Sequence, residues 1–194
     1  MEIGSTKAVQ DRLKTTMIEE SKGASLVFCW DTHLTKIKGR NVLFIVNASN
    51  RYTIAMTDIE PRNWNYYTMY IRSVIHGVMQ EMGYSDDQIG QYFKMSGDTT
   101  VTKTHGRKSV GGINRMVMDA QYFGKKLEKE AKYQWELSEY LNRDICQPEG
   151  FDAYGYPSEL FKLDMERLGI AAKRKPAKVI DFRQYIESNR GTND

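Results

Sequence analysis

The residues best suited to chemistry crowd into Thr100-Val-Thr-Lys-Thr-His-Gly-Arg-Lys-Ser-Val-Gly-Gly-Ile-Asn-Arg115. The pattern predicts a strand over 99–104, a tight basic turn over 105–108 and a helix that opens at Ser109. Ser109 suits the N-cap, where its hydroxyl accepts from a free amide of the first turn. Gly111 and Gly112 leave that turn bare. Lys103, His105, Arg107, Lys108 and Arg115 surround it. Free amides at a helix start, with cations beside them, make an anion site for phosphate or carboxylate. The order G-x-x-x-x-G-K-[ST] is absent, and so is G-x-G-x-x-G, so the expectation rests on geometry and charge. His105 can add a charge when an anion binds.

Cys29-Trp-Asp-Thr-His33 is the second candidate. On a strand, Cys29, Asp31 and His33 share one face and Trp30 takes the other. Such a set can activate a nucleophile or hold a metal. Same-face neighbours on one strand stand roughly 6.5–7 Å apart, however, which is long for a direct thiolate–imidazole hydrogen bond. No HxH, HExxH or CxxC accompanies them. No metal and no cofactor is therefore expected, and these three residues are weak catalytic candidates. His76, between Ile75 and Gly77, reads as a boundary or surface histidine.

Two further surfaces stand out. Lys173, Arg174, Lys175 and Lys178 form a basic linker that could contact phosphates or an acidic partner. Phe151, Tyr154 and Tyr156 lie on a glycine-bearing loop, and aromatics of that kind are common at protein interfaces.

The elements that position these residues can be read from periodicity. A first helix is expected over 5–15, capped by Ser5 or Thr6, with Val9 and Leu13 on one edge. From Ser25 to Thr57 the pattern is β, in three strands linked by turns at Lys38-Gly39 and 47–50, an antiparallel meander. The strand at 99–104 would be a fourth. Trp64, Tyr67, Ile71, Val74, Ile75, Val78 and Met82 keep helical spacing up to Gly83. Ser85-Asp-Asp-Gln88 is a capping box that opens a short helix closed by Gly97. Both helices should cover one face of the sheet. After Ser109, Ile113, Val117, Ala120, Leu127 and Ala131 predict a long, kinked helix to about Ile145. Ser158 should cap another helix that stops at Gly169, and Phe182 and Ile186 suggest a last docking turn or short helix.

The chain has 194 residues, of which 40% are hydrophobic and 11% aromatic, enough for a core and consistent with one domain of ordinary size or one domain plus appendages. A net charge of +3 is too small to declare a nucleic-acid protein by itself. The two cysteines show neither metal spacing nor a disulfide framework, and read as reduced thiols of a cytoplasmic protein. No apolar run approaches the ~18 residues of a membrane span, and none resembles a signal peptide.

Ile3-Gly-Ser-Thr-Lys7, Trp30 with His33-Leu34, Val42-Leu-Phe-Ile-Val-Asn47 with Arg51-Tyr52, and above all Thr102-Lys-Thr-His-Gly-Arg-Lys-Ser-Val-Gly-Gly-Ile-Asn114 resemble an uncharacterised bacterial domain family. Its members begin with a Thr-Lys helix and carry a Thr-Lys-Thr…Arg-Ser-Val…Gly…Asn signature. Lys108 is an addition to that pattern. The resemblance covers roughly residues 1–125, and implies an α+β topology and a phage, plasmid or bacterial source. It brings no established activity, so no catalytic residue is carried over.

The expected fold is α+β: a small antiparallel sheet of about four strands packed by helices in residues 1–125, with a helical extension over 126–194. Three function classes follow. The first is a non-enzymatic binding protein of a mobile element acting on host nucleic-acid machinery, for instance an inhibitor of a CRISPR nuclease. The second is a module that binds RNA or DNA directly. The third is a small enzyme using Cys29, Asp31 and His33. The expected partner is a protein, a nucleic-acid backbone, or both.

Overall fold

The computed structural model describes residues 1–14 and 19–172. Its β3 (Arg40–Asn47) contains Val42–Val46, an unbroken apolar run. A strand that is apolar at every position must be covered on both faces. It is: Leu43 and Ile45 enter one core and Val42, Phe44 and Val46 the other, as the two-residue period of a strand requires.

Around it stand β1 (Glu2–Ser5), β2 (Cys29–Ile37), β4 (Thr53–Thr57) and β5 (Thr100–Thr102), in the order β4-β3-β2-β1-β5. β2, β3 and β4 form the expected antiparallel meander. β1 pairs in parallel with β2 on one side and β5 on the other. The α+β class therefore holds, but the sheet has five strands and is mixed. The unforeseen strand is β1. All four of its residues are buried, so it lacks the one-sided alternation that betrays a strand, and Ser5 belongs to it rather than to a helix cap. The first helix, α1, is shorter than expected, Lys7–Leu13, with Thr6 at its N-cap.

On the first face lie α2 (Pro61–Asn65), α3 (Tyr67–Glu81), α4 (Asp86–Ser96) and, later in the chain, a helix over Pro157–Arg167. Ile71, Ile75, Met79, Ile89, Tyr92, Phe161 and Met165 close over Ile3, Trp30, Leu43, Ile45 and Ile54. The Trp30 indole donates to the Tyr92 hydroxyl at 2.9 Å, which donates to Val27 O at 2.7 Å, so two large buried side chains keep their polar ends satisfied. The capping box is as read: Ser85 Oγ accepts from Gln88 N, and the Gln88 side chain accepts from Ser85 N. Gly97 follows with φ 65°, a conformation glycine adopts freely.

The second face is covered by α5 (Gly106–Gln121) and α6 (Trp135–Asn142). The single long helix expected to about Ile145 is these two, separated by a non-helical stretch. Gln134 explains why that stretch is stable without helical bonds. Its buried amide donates to Ala131 O, Glu128 O and Thr57 Oγ1, and accepts from Glu128 N. Phe123 and Leu127 reach the core from this loop.

The last described helix, α7, is Pro157–Arg167. Pro157, not Ser158, fixes its start, because proline's preset φ suits the first helical position. Gly169 follows its end. Among the described residues no helix is long and apolar enough to cross a membrane. The basic linker at 173–178 and the turn expected near Phe182 and Ile186 lie outside the described residues.

Candidate functional site

Asp31 is fully buried on β2 and faces α5. Its partner is His105, the residue just before α5, and not the neighbouring His33. His105 Nδ1 lies 2.7 Å from Asp31 Oδ1, and the His105 amide reaches both carboxylate oxygens at 3.2 and 3.3 Å. Ser109 Oγ donates to Asp31 Oδ2. Asp31 is thus the anion at the start of α5, supplied by the protein itself. Ser109 sits in the first turn of the helix, which opens at Gly106 with His105 at its N-cap, so Ser109 is not the N-cap.

The other imidazole nitrogen, His105 Nε2, lies 3.0 Å from Glu2 Oε2. Glu2 is held in turn by Ser21 Oγ at 2.6 Å and Lys22 N at 2.8 Å. Register brings these groups together: on paired strands Glu2 stands opposite Cys29, and Gly4 opposite Asp31. Gly4 is required by close approach, since a Cβ there would sit 1.8 Å from Asp31 Oδ1 and 3.0 Å from His105 Nδ1.

Burial pushes the His105 pKa down, but the hydrogen bond to Asp31, helped by Cys29, outweighs it and holds the imidazole up to about 10. Burial likewise pushes Glu2 up, and the hydrogen bonds from Ser21, Lys22 and His105 outweigh that and leave it below the ordinary value. His105 is therefore an imidazolium at neutral pH, donating to a carboxylate from each nitrogen. A general base needs a free lone pair, and this ring has none. The Ser109 hydroxyl is turned to Asp31, not to His105, so the arrangement differs from a nucleophile–histidine–acid relay.

Cys29 is buried beside this cluster, its thiol near Ser25 O at 3.5 Å and Ala24 O at 3.6 Å. Glu2, Cys29 and His105 each present one ligand atom, all within 4.8 Å of one another. His33 stands apart, 3.2 Å from Thr6 Oγ1, with its pKa lowered by burial. Of the strand trio, the structure keeps Cys29 and Asp31 together and replaces His33 by His105. Glu2 was missed with β1. His76 stacks on Phe93, with ring centroids 6.3 Å apart.

Several of the predicted residues meet again along α5. Lys108, Ser109, Gly111, Gly112 and Arg115 line a cleft of about 250 Å³, joined by Arg51 and, opposite, Glu149. Arg51 Nη2 donates to Gly112 O at 3.2 Å, and a Cβ at residue 112 would come within 3.3 Å of the Arg51 side chain. Lys108 Nζ donates to Pro148 O at 3.2 Å, and Arg115 Nε to both Asp119 oxygens at 3.2 Å. A lysine ammonium has three donors and a guanidinium five, so donors remain on each. Arg107 is exposed. Lys103 points elsewhere and pairs with Glu20. Gly111 and Gly112 lie inside the helix, past its first turn.

Of the loop aromatics, Phe151 is buried under the Arg167 guanidinium, 4.0 Å from its ring centroid. Tyr154 and Tyr156 are exposed.

The family model described as domain of unknown function DUF6933 matches residues 2–160. The chain belongs to DUF6933. No curated protein and no solved structure matches it. The DUF6933 match contains the whole Glu2–Cys29–Asp31–His105–Ser109 cluster and the cationic cleft. It also runs past residue 125, the limit of the resemblance read from the sequence, through α6 and into the start of α7.

Proposed function

We propose that this DUF6933 protein is a non-enzymatic binding protein that grips a phosphate-bearing partner, a nucleic-acid backbone above all, in the cleft along α5. One observation carries the reading: Arg51, Lys108 and Arg115 all line that cleft, with Glu149 the one carboxylate in its lining. Gly111 adds no side chain to the cleft, and Arg51 packs across Gly112. The sealed state of the His105 cluster supports binding over catalysis, because its titratable groups satisfy one another and do not face solvent. The finer setting rests on the resemblance: a mobile-element protein acting on host nucleic-acid machinery, with inhibition of a CRISPR nuclease as the specific case.

The test is fluorescence anisotropy with labelled single- and double-stranded oligonucleotides across a salt series. Binding should weaken linearly in log–log form, and each of Arg51→Ala, Lys108→Ala and Arg115→Ala should reduce the slope by about 1. Affinity that ignores salt, or a triple variant that binds like wild type, overturns the reading.

A further inference from the structure

We propose that Glu2, Cys29 and His105 form a binding site for one divalent transition-metal ion of the zinc class. The three donors come from three separate elements: β1, β2 and the residue that opens α5. No local motif could announce them. Yet their ligand atoms lie within 4.8 Å of one another, and all three residues are buried.

The spacing fits such an ion. Zinc holds nitrogen and oxygen at about 2.0–2.2 Å and sulfur at about 2.3 Å, which puts tetrahedral neighbours roughly 3.3–3.7 Å apart. Glu2 Oε2 and His105 Nε2 stand 3.0 Å apart and need to open by a few tenths of an ångström, while the Cys29 sulfur, within 4.8 Å of the other donors, needs to close by at most about 1 Å. The donor types decide the class of ion. A thiolate with an imidazole and a carboxylate selects zinc or its neighbours over magnesium or calcium, which prefer oxygen alone.

The surroundings are those of a metal-binding histidine. Asp31 accepts the hydrogen bond of His105 Nδ1–H at 2.7 Å, which keeps that proton on Nδ1 and makes Nε2 the ligating atom. Asp31 is itself fixed by Ser109 and the His105 amide. Glu2 Oε1 is oriented by Lys22 N at 2.8 Å. Gly4 leaves room for the Asp31–His105 contact.

Binding displaces two protons to solvent, one from His105 Nε2 and one from the Cys29 thiol, as the metal–nitrogen and metal–sulfur bonds form. No electron is transferred. The ion would tie the start of β1 to β2 and to the entry of α5.

Cobalt(II) is the probe. The untagged full-length chain is stripped with chelator, then titrated with cobalt(II), and its absorption followed. One equivalent should produce a thiolate-to-cobalt charge-transfer band in the near ultraviolet and intense tetrahedral visible bands, both abolished by one equivalent of zinc. Cys29→Ser should lose the charge-transfer band, while Cys146→Ser, which alters the other cysteine, should keep it. Absence of the band in the folded wild-type chain overturns the proposal, as does its persistence in Cys29→Ser. Because the wild-type titration needs no variant, misfolding of Cys29→Ser leaves the first result decisive.

Discussion

His105 and Asp31 meet at 2.7 Å across 74 residues of sequence, joining the entry of α5 to the centre of the sheet. The contact makes β2 and α5 one unit, and it places the cationic face of α5 outward. Removing the charge should therefore cost far more than a surface substitution. Breaking one side of a buried ion pair typically costs about 3–5 kcal/mol, and Asp31→Asn should fall near the lower end because it keeps one acceptor oxygen. Urea unfolding followed by circular dichroism measures this. A loss under about 1 kcal/mol would contradict the structural weight given to the pair.

The pH dependence of the metal-free chain follows from the same ring. His105 is raised from the ordinary 6.5 to about 10 on folding. A raised base contributes stability that is complete below the unfolded value and is lost as pH climbs through the folded value. The chelated wild-type chain should therefore lose stability between about pH 7 and pH 10. His105→Gln should be less stable at the acid end of that range and flatter across it. Urea midpoints at several pH values, compared between the two proteins, give the answer.

Gly4→Ala should destabilise the fold although alanine suits a strand position no worse than glycine. The added Cβ would sit 1.8 Å from Asp31 Oδ1, a buried atom with no space to retreat. Overpacking of this kind costs about 1–3 kcal/mol. A thermal melt should show the loss. Gly111→Ala, at a helical position with open space around it, should be neutral or stabilising.

Gln134→Ala should loosen the segment between α5 and α6 without unfolding the sheet. The buried amide is the acceptor for Glu128 N, and it shares the Glu128 and Ala131 carbonyls with Arg40 and Thr57. Each buried group left without its partner costs about 1–3 kcal/mol. Hydrogen exchange should quicken at Glu128 first, with the β3 amides unchanged.

Much of the scaffold was legible in the chain because it obeys local rules. Val42–Val46, the capping box at Ser85 and the spacing of Ile71, Ile75 and Val78 each announce their element. What failed to show was non-local. β1 is too short and too fully buried to alternate, and Ser5, next to the true cap Thr6, imitates a helix cap. The stripe Ile113–Ala131 continues past α5 because Leu127 is buried from a loop, not a helix. The candidate site suffered in the same way. Cys29 and Asp31 were visible as same-face strand neighbours. Their histidine, however, is chosen by the docking of α5, and Glu2 by the parallel register of β1 on β2. The cations of the turn were visible too, but Arg51 joins them through a left-handed residue at the end of the β3–β4 turn, with φ 62°.

Whether a phosphate backbone occupies the α5 cleft is tested most directly by a heteronuclear NMR titration of the ¹⁵N-labelled chain with a short oligonucleotide. The account predicts saturable shifts at Arg51, Lys108, Gly111, Gly112 and Arg115, with His105 and Trp135 unmoved. Shifts confined to other surfaces, or none at oligonucleotide concentrations that saturate a weak non-specific binder, would contradict it.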